Sequence, residues 1–190
     1  MMKTLQVEQL ESRNLLSAGG NHAAMHAAAA VADSRIQFDD GALVVVGTKG
    51  NDYCVAREYN DYETGVRTLQ IELLAGGKYE TFEAPLVEVH SITFYGFQGN
   101  DYFENRTNID ATAFGGSGND VLLAAKYTAH NQFFGGSGND LLIGSFGVDY
   151  LDGGPGQDFV RPGSSTGDTI VNAEADVTLE QAWHDYASGF

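Results

Sequence analysis

From Ile36 onward the chain alternates short apolar runs with turns rich in glycine, asparagine and aspartate. Leu43 to Val46 is a compact apolar run bounded by Gly41 and Gly47, which predicts a buried strand. Tyr53 to Tyr59 predicts a second strand, and Val66 to Leu74 alternates around Leu69, Ile71 and Leu73. Lys78 to Phe82 and Pro85 to Tyr95 continue the rhythm, with Asn60-Asp61 and Gly76-Gly77 as turns. Beyond Gly96 the apolar runs shorten, and Phe103, Leu122, Leu142, Leu151, Val160 and Ile170 are placed to face a core. Residues 1–17 form an amphipathic segment with Leu5, Leu10, Leu15 and Leu16, and residues 18–35 are an Ala- and Gly-rich linker or helix. Ala173 to Tyr186 predicts a helix presenting Leu179, Trp183 and Tyr186 as one stripe, suited to capping the open end of a stacked β core. A C-terminal export signal is the competing reading of that stretch.

The turns repeat. Gly115-Gly116-Ser117-Gly118-Asn119-Asp120 recurs as Gly135-Gly136-Ser137-Gly138-Asn139-Asp140, and Gly153-Gly154-Pro155-Gly156-Gln157-Asp158 is a third copy. Gly144 to Asp149, Gly96 to Asp101 and Gly47 to Asp52 are looser copies. The copies that begin at 135, 144 and 153 are nine residues apart. Glycine at the first, second and fourth positions lets the backbone turn sharply through positive φ, which points carbonyl oxygens inward. The sixth-position aspartate adds a carboxylate. Calcium takes six to eight such oxygens at roughly 2.3–2.6 Å, and a nine-residue Gly-Gly-…-Asp period followed by an apolar residue marks a calcium-binding β-helix.

Gly135 to Gly156 resembles the RTX family of hemolysin-type calcium-binding repeats, Gly-Gly-x-Gly-x-Asp-x-U-x with U a large apolar residue. The resemblance implies an all-β fold, a right-handed parallel β-roll in which two repeats make one coil and each turn stacks on the turn 18 residues later. It also implies the ligands: carbonyls two and four plus the Asp of one turn, and carbonyls one and three plus the Asp of the next. Carried over, one site takes Gly136, Gly138, Asp140, Gly153, Pro155 and Asp158, and the next Gly116, Gly118, Asp120, Gly135, Ser137 and Asp140. A third takes Phe97, Gly99, Asp101, Gly115, Ser117 and Asp120, with Phe97 standing where glycine is expected. On the opposite flank Asp149 and Asp168, with Gly147, form a site that departs from the pattern at Ser145 and Thr166. The one extra residue between Asp101 and Asp120 is placed near Phe114, the two between Asp120 and Asp140 in Ala124 to Phe134, and the one before Asp168 near Arg161-Pro162. Asp110 belongs to the second flank, whose next turn, Ala124 to Ala129, has neither glycine nor carboxylate and leaves a gap. Asp52 has no acid 18 residues on and reads as a turn residue. Leu10 to Ala18 resembles an N-terminal tag of bacterial surface proteins.

Composition narrows the function. Twenty-six acidic against ten basic residues give a net charge of −16, which excludes nucleic acid as a partner and disfavours anionic membranes. No apolar run is long enough to span a bilayer, and no apolar stretch of signal-peptide length follows Lys3. Cys54 is the single cysteine and sits in an apolar slot, so it reads as core. Gly163 to Gly167 matches the Gly-x-Ser-x-Gly nucleophile pattern but lies in repeat phase, without the strand-to-helix context that motif needs. Asn105-Arg106-Thr107 fits a glycosylation sequon, and His22 with His26 is a chance pair in an Ala-rich tail.

The chain is therefore expected to hold a tag and linker at 1–35, a β-rich layer at 36–95, the calcium repeats at 96–171 and a cap at 172–190. The function expected is a non-enzymatic, secreted or surface calcium-binding module, bacterial and extracellular, ordered by calcium. Its protein or glycan partner is left open. An adhesion or carbohydrate-binding module is the alternative, and a small hydrolase a remoter one.

Overall fold

A computed structural model describes residues 35–125 and 127–174. The tag and linker expected up to residue 34, and the cap helix expected beyond residue 174, lie outside the described residues. The strands are β1 (Arg35–Asp39), β2 (Ala42–Val46), β3 (Tyr53–Asn60), β4 (Arg67–Ala75), β5 (Lys78–Pro85), β6 (Ser91–Gln98) and β7 (Tyr102–Arg106). They continue as β8 (Asp110–Ser117), β9 (Val121–Ala124), β10 (Asn131–Ser137), β11 (Leu141–Ile143), β12 (Tyr150–Asp152), β13 (Phe159–Arg161) and β14 (Thr169–Val171).

Two seven-stranded sheets face one another. The first runs β1-β2-β6-β8-β10-β12-β14 and the second β13-β11-β9-β7-β3-β4-β5. From β6 onward the chain alternates between them, and all neighbours within a sheet pair in parallel. This is the parallel β-roll of an all-β protein. The two ends differ. β1 folds back antiparallel on β2, and β3, β4 and β5 form an antiparallel meander at the edge of the second sheet. Residues 36–95 thus extend both sheets: β2 and β3 are a coil of the roll, paired in parallel to β6 and β7.

Alternation places the core. Phe103, Leu122, Leu142 and Val160 are in register down the second sheet, with Cys54 above Phe103. Across from them Ile92, Phe94, Ala111, Ala113, Phe133 and Leu151 point in from the first sheet, and nearly all of these are fully buried. Small Ala111 and Ala113 make room for Phe94, Phe103 and Phe133, whose rings pack at 5.2 and 6.0 Å. Outside the first sheet the rings of Tyr95, Phe114 and Phe134 stack at 5.1 and 4.9 Å.

Coil length varies on one side only. Val44, Thr93, Thr112, Gln132 and Tyr150 are mutually in register, and Cys54, Phe103, Leu122, Leu142 and Val160 follow each by ten residues. The return from the second sheet to the first takes 9, 10, 8 and 9 residues in the last four coils, and 39 from Cys54 to Thr93. The extra residue expected near Phe114 is therefore elsewhere: it lies in the return between Phe103 and Thr112. The two expected in Ala124 to Phe134 do fall in the return between Leu122 and Gln132.

The constant side is close-packed at its turns. Gly116, Gly136 and Gly154 have φ of +113°, +109° and +94°, and a Cβ on any of them would overlap the carbonyl of the turn before. Phe97 takes the same place with φ +77°, a conformation L-residues adopt at a cost of roughly 1–2 kcal/mol. Gly136→Ala should destabilise the roll by about 3 kcal/mol or more, from left-handed strain plus backbone overlap. Gly77→Ala, at φ +74° with open space around it, should cost only about 1 kcal/mol. Denaturant midpoints of the two variants check this, and equal losses would contradict it.

Candidate metal centres

On the constant side, each coil crosses between sheets through a turn ending in a buried aspartate. Gly47–Asp52, Gly96–Asp101, Gly115–Asp120, Gly135–Asp140 and Gly153–Asp158 stack in one column, and their five aspartates are at most 2 % exposed. The backbone N–H of each donates to Oδ1 of the next: Asp52 to Asp101 at 2.8 Å, Asp101 to Asp120 at 2.7 Å, Asp120 to Asp140 at 2.8 Å and Asp140 to Asp158 at 2.8 Å. Glu174 ends the column, its Oε2 accepting from Asp158 N at 2.6 Å.

An outer ladder runs beside it with the opposite polarity. Asn100 N–H donates to Asn51 Oδ1 at 2.7 Å, Asn119 to Asn100 at 2.9 Å, Asn139 to Asn119 at 2.8 Å and Gln157 to Asn139 at 3.0 Å. Backbone bonds complete the stack: Gly99 N–H to Ser117 O and Gly118 N–H to Ser137 O, both 2.9 Å, then Gly136 N–H to Gly153 O at 3.0 Å and Gly138 N–H to Pro155 O at 3.1 Å. The structure thus brings together the residue groups of the three expected first-flank sites: Phe97, Gly99 and Asp101 against Gly115, Ser117 and Asp120; Gly116, Gly118 and Asp120 against Gly135, Ser137 and Asp140; and Gly136, Gly138 and Asp140 against Gly153, Pro155 and Asp158.

One oxygen is left over in four of the five carboxylates. Oδ2 of Asp101, Asp120, Asp140 and Asp158 is buried without a hydrogen-bond partner. Each lies beside the first glycine of its own turn, facing the first carbonyl of the next. A Cβ on Gly96, Gly115 or Gly135 would overlap both that oxygen and the carbonyl of Gly115, Gly135 or Gly153. On Gly153 it would meet Asp158 Oδ2 and Asn172 O. A buried anionic oxygen without a donor is costly to leave unmade. A hard cation fits it, and the glycines leave room for one. No group of three or more His, Cys, Asp or Glu side chains converges among the described residues, so any such ion draws on backbone carbonyls as well.

The second flank differs. Asp149 N–H donates to Asp168 Oδ1 at 2.9 Å; both carboxylate oxygens of Asp149 have protein donors, whereas Asp168 Oδ2 is buried without a partner. Gly147 is there, its N–H bonded to Ser145 Oγ at 3.1 Å. Pro162 faces Gly144 and Gly163, φ +98°, faces Ser145, so the extra residue follows Gly163 and does not lie at Arg161-Pro162. Asp110 is on this flank but in the outer ladder: it is exposed and accepts from His130 N–H at 2.8 Å. The inner place at its level is held by Ala111, in register with Asn131. The sequon residue Asn105 is 1 % exposed and bonded to Ile109 O and Asn131 Oδ1, so its amide is not presented for modification.

Two column members escaped the sequence reading. Asp52 stacks on Asp101 from 49 residues away, because the β4–β5 meander interrupts the coil; Gly50-Asn51-Asp52 kept the pattern and only the spacing hid it. Glu174 follows Asn172-Ala173, which carries no glycine signal at all.

Residues 108–125 and 128–160 match the family model of the RTX calcium-binding nonapeptide repeat, in four copies. No curated protein and no solved structure matches the chain significantly. The chain thus carries RTX repeats folded as a calcium-binding β-roll, with calcium as their ligand. Among the described residues no helix is long and apolar enough to cross a membrane.

Burial dominates the electrostatics. It pushes Asp101 and Asp140 up to about 9, with neighbouring aspartates adding to it, Asp120 to about 7 and Asp158 to about 6. These values lie above the ordinary carboxylate range near 4, so without metal the folded column holds protons that the unfolded chain releases. Its contribution is fully favourable below pH of about 4 and is lost as pH rises through the folded values. In chelator the protein should melt higher at pH 5 than at pH 8.5, with calcium reversing that order; melting curves at both pH values check it. A metal-free protein more stable at pH 8.5 would contradict the burial argument.

Proposed function

We propose that this chain is a non-enzymatic extracellular module whose turn column orders when calcium binds. The observation that carries the reading is the run of four buried, unpartnered Oδ2 atoms at Asp101, Asp120, Asp140 and Asp158. Three centres use the residues grouped above, and each of Asp120 and Asp140 serves two of them. A fourth uses Asp158, the Asn172 carbonyl and Glu174. When bound, the ion supplies positive charge between stacked carboxylates, and the protein's residues supply oxygens in a cradle that excludes side chains.

The energetics favour a switch. Carboxylates stacked at roughly the 4.8 Å strand spacing repel by about 3 kcal/mol per pair at an effective dielectric of 20. The short strands β12 to β14 bury little to offset it. Metal binding is then folding free energy. Affinity on the order of 10⁻⁴–10⁻³ M suits extracellular calcium, so the chain stays open in a low-calcium compartment and closes outside. An enzyme reading finds no support in Gly163–Gly167, which joins β13 to β14 and does not lead into a helix.

Calcium titration followed by circular dichroism tests this. The β signal and melting temperature should rise together, and chelator should reverse both; an identical β spectrum and melting point in chelator would sink the proposal. Asp120→Asn adds a sign test, since it removes one charge from the column. The variant should be more stable than the wild type in chelator and less stable in calcium. A loss of stability in both conditions would mark Asp120 as a structural residue only.

A further inference from the structure

The second flank meets the same geometric problem as the first and solves it with different atoms. Its inner column is Asn131, Asp149 and Asp168, joined as on the first flank: Asn131 N–H to Asp149 Oδ1 at 2.8 Å and Asp149 N–H to Asp168 Oδ1 at 2.9 Å. Asp149 is 1 % exposed, yet neither of its oxygens is left over; the unpartnered oxygen on this flank is Asp168 Oδ2, in the turn whose second position is Gly163 at φ +98°.

Ser145 is the reason on one side. It stands where Gly116 and Gly136 stand on the first flank. Those glycines have strongly positive φ, and Gly136 sends its N–H to the neighbouring turn. Ser145 has no positive φ, and its N–H bonds Asp149 Oδ2 of its own turn at 2.6 Å. Asn131 is the reason on the other side. Its Nδ2 lies within 2.9 Å of Asp149 Oδ1, 3.2 Å of Ala129 O and 3.2 Å of Ser145 Oγ, a neutral donor surrounded by oxygens. Asn131 Oδ1 in turn accepts from Asn105 Nδ2 at 3.0 Å, and Asn131, Asn105 and Ser145 are all at most 3 % exposed. The same device recurs independently at the first turn of the other flank. There Thr48 occupies the second position, its N–H bonds Asp52 Oδ2 at 2.5 Å, and its hydroxyl bonds Oδ1 at 2.9 Å.

We infer that Asn131 and Ser145 are built-in substitutes for calcium, so that the Asp149 turn closes without metal and the Asp149–Asp168 pair is not a calcium site. The residue at the second position of each turn decides the matter: positive φ leaves the aspartate oxygen open for a cation, and Ser or Thr closes it with an N–H. This rests on the calcium reading of the first flank, and the test separates the two.

Calcium is counted by equilibrium dialysis on the full chain at saturating calcium. Asp149→Asn should keep the wild-type count, Asp120→Asn should lose at least one ion, and the double variant Asn131→Asp/Ser145→Gly should gain one. Loss of an ion from Asp149→Asn, or no gain in the double variant, overturns this inference while leaving the first-flank reading intact. A wild-type chain that binds no calcium overturns both. One readout needs no variant: in the calcium-saturated wild-type protein the Asn131 side-chain NH2 should exchange slowly with solvent by NMR, and fast exchange overturns the substitution.

Discussion

Parallel coils bring equivalent residues to within one strand spacing of each other, so whatever a turn carries it must carry beside a copy of itself. In this chain the repeated group is a buried carboxylate. In Asp101, Asp120, Asp140 and Asp158 one oxygen is tied to the N–H of the preceding aspartate, which fixes the vertical register of the coils. The other is left without a donor in Asp101, Asp120, Asp140 and Asp158. Stacked charge that lacks donors is tolerated only when protonated or when a cation supplies the missing interaction. The last strands of the roll are only three residues long, so apolar burial offsets less of this at that end than at the longer strands before them.

The constancy of the ten-residue step follows from that demand. On the calcium reading proposed above, an ion held between two turns needs carbonyls and carboxylates at set positions in both, so an inserted residue would break two centres at once. The return side, where protein donors do the work, tolerates insertions from single residues up to the whole β4–β5 meander. Hydrogen bonds from side chains and backbone adapt to local length in a way that a shared ion does not. The outer Asn ladder serves both demands: it braces each turn from the side opposite the aspartates without adding charge.

Where the pattern failed to guide the reading, the failure has a physical source in each case. Asp52 carries the right local signal, but the meander that follows it replaces a return of eight to ten residues, so linear spacing cannot pair it with Asp101. Glu174 reaches the column with a longer side chain from a turn of different shape, and no glycine pattern announces it. Asp110 sits one residue from the inner column, and strand alternation turns that single step into an exposed position. Asp149 matches the motif by residue type, yet Ser145 in place of glycine changes which way an N–H points, and that removes the vacancy a cation would fill.

The sequence by itself determined the all-β class, the repeated turn, the apolar slots from Phe103 to Val160 and the identity of the ligand, because glycine, aspartate and core side chains each leave a local imprint at nine-residue spacing. Only the tertiary structure decided which coils stack, on which flank length may vary, and which aspartates keep an unpaired oxygen. Those properties belong to pairs of turns brought together across as many as 49 residues, and hydrogen-bond satisfaction is settled by the neighbour as much as by the residue.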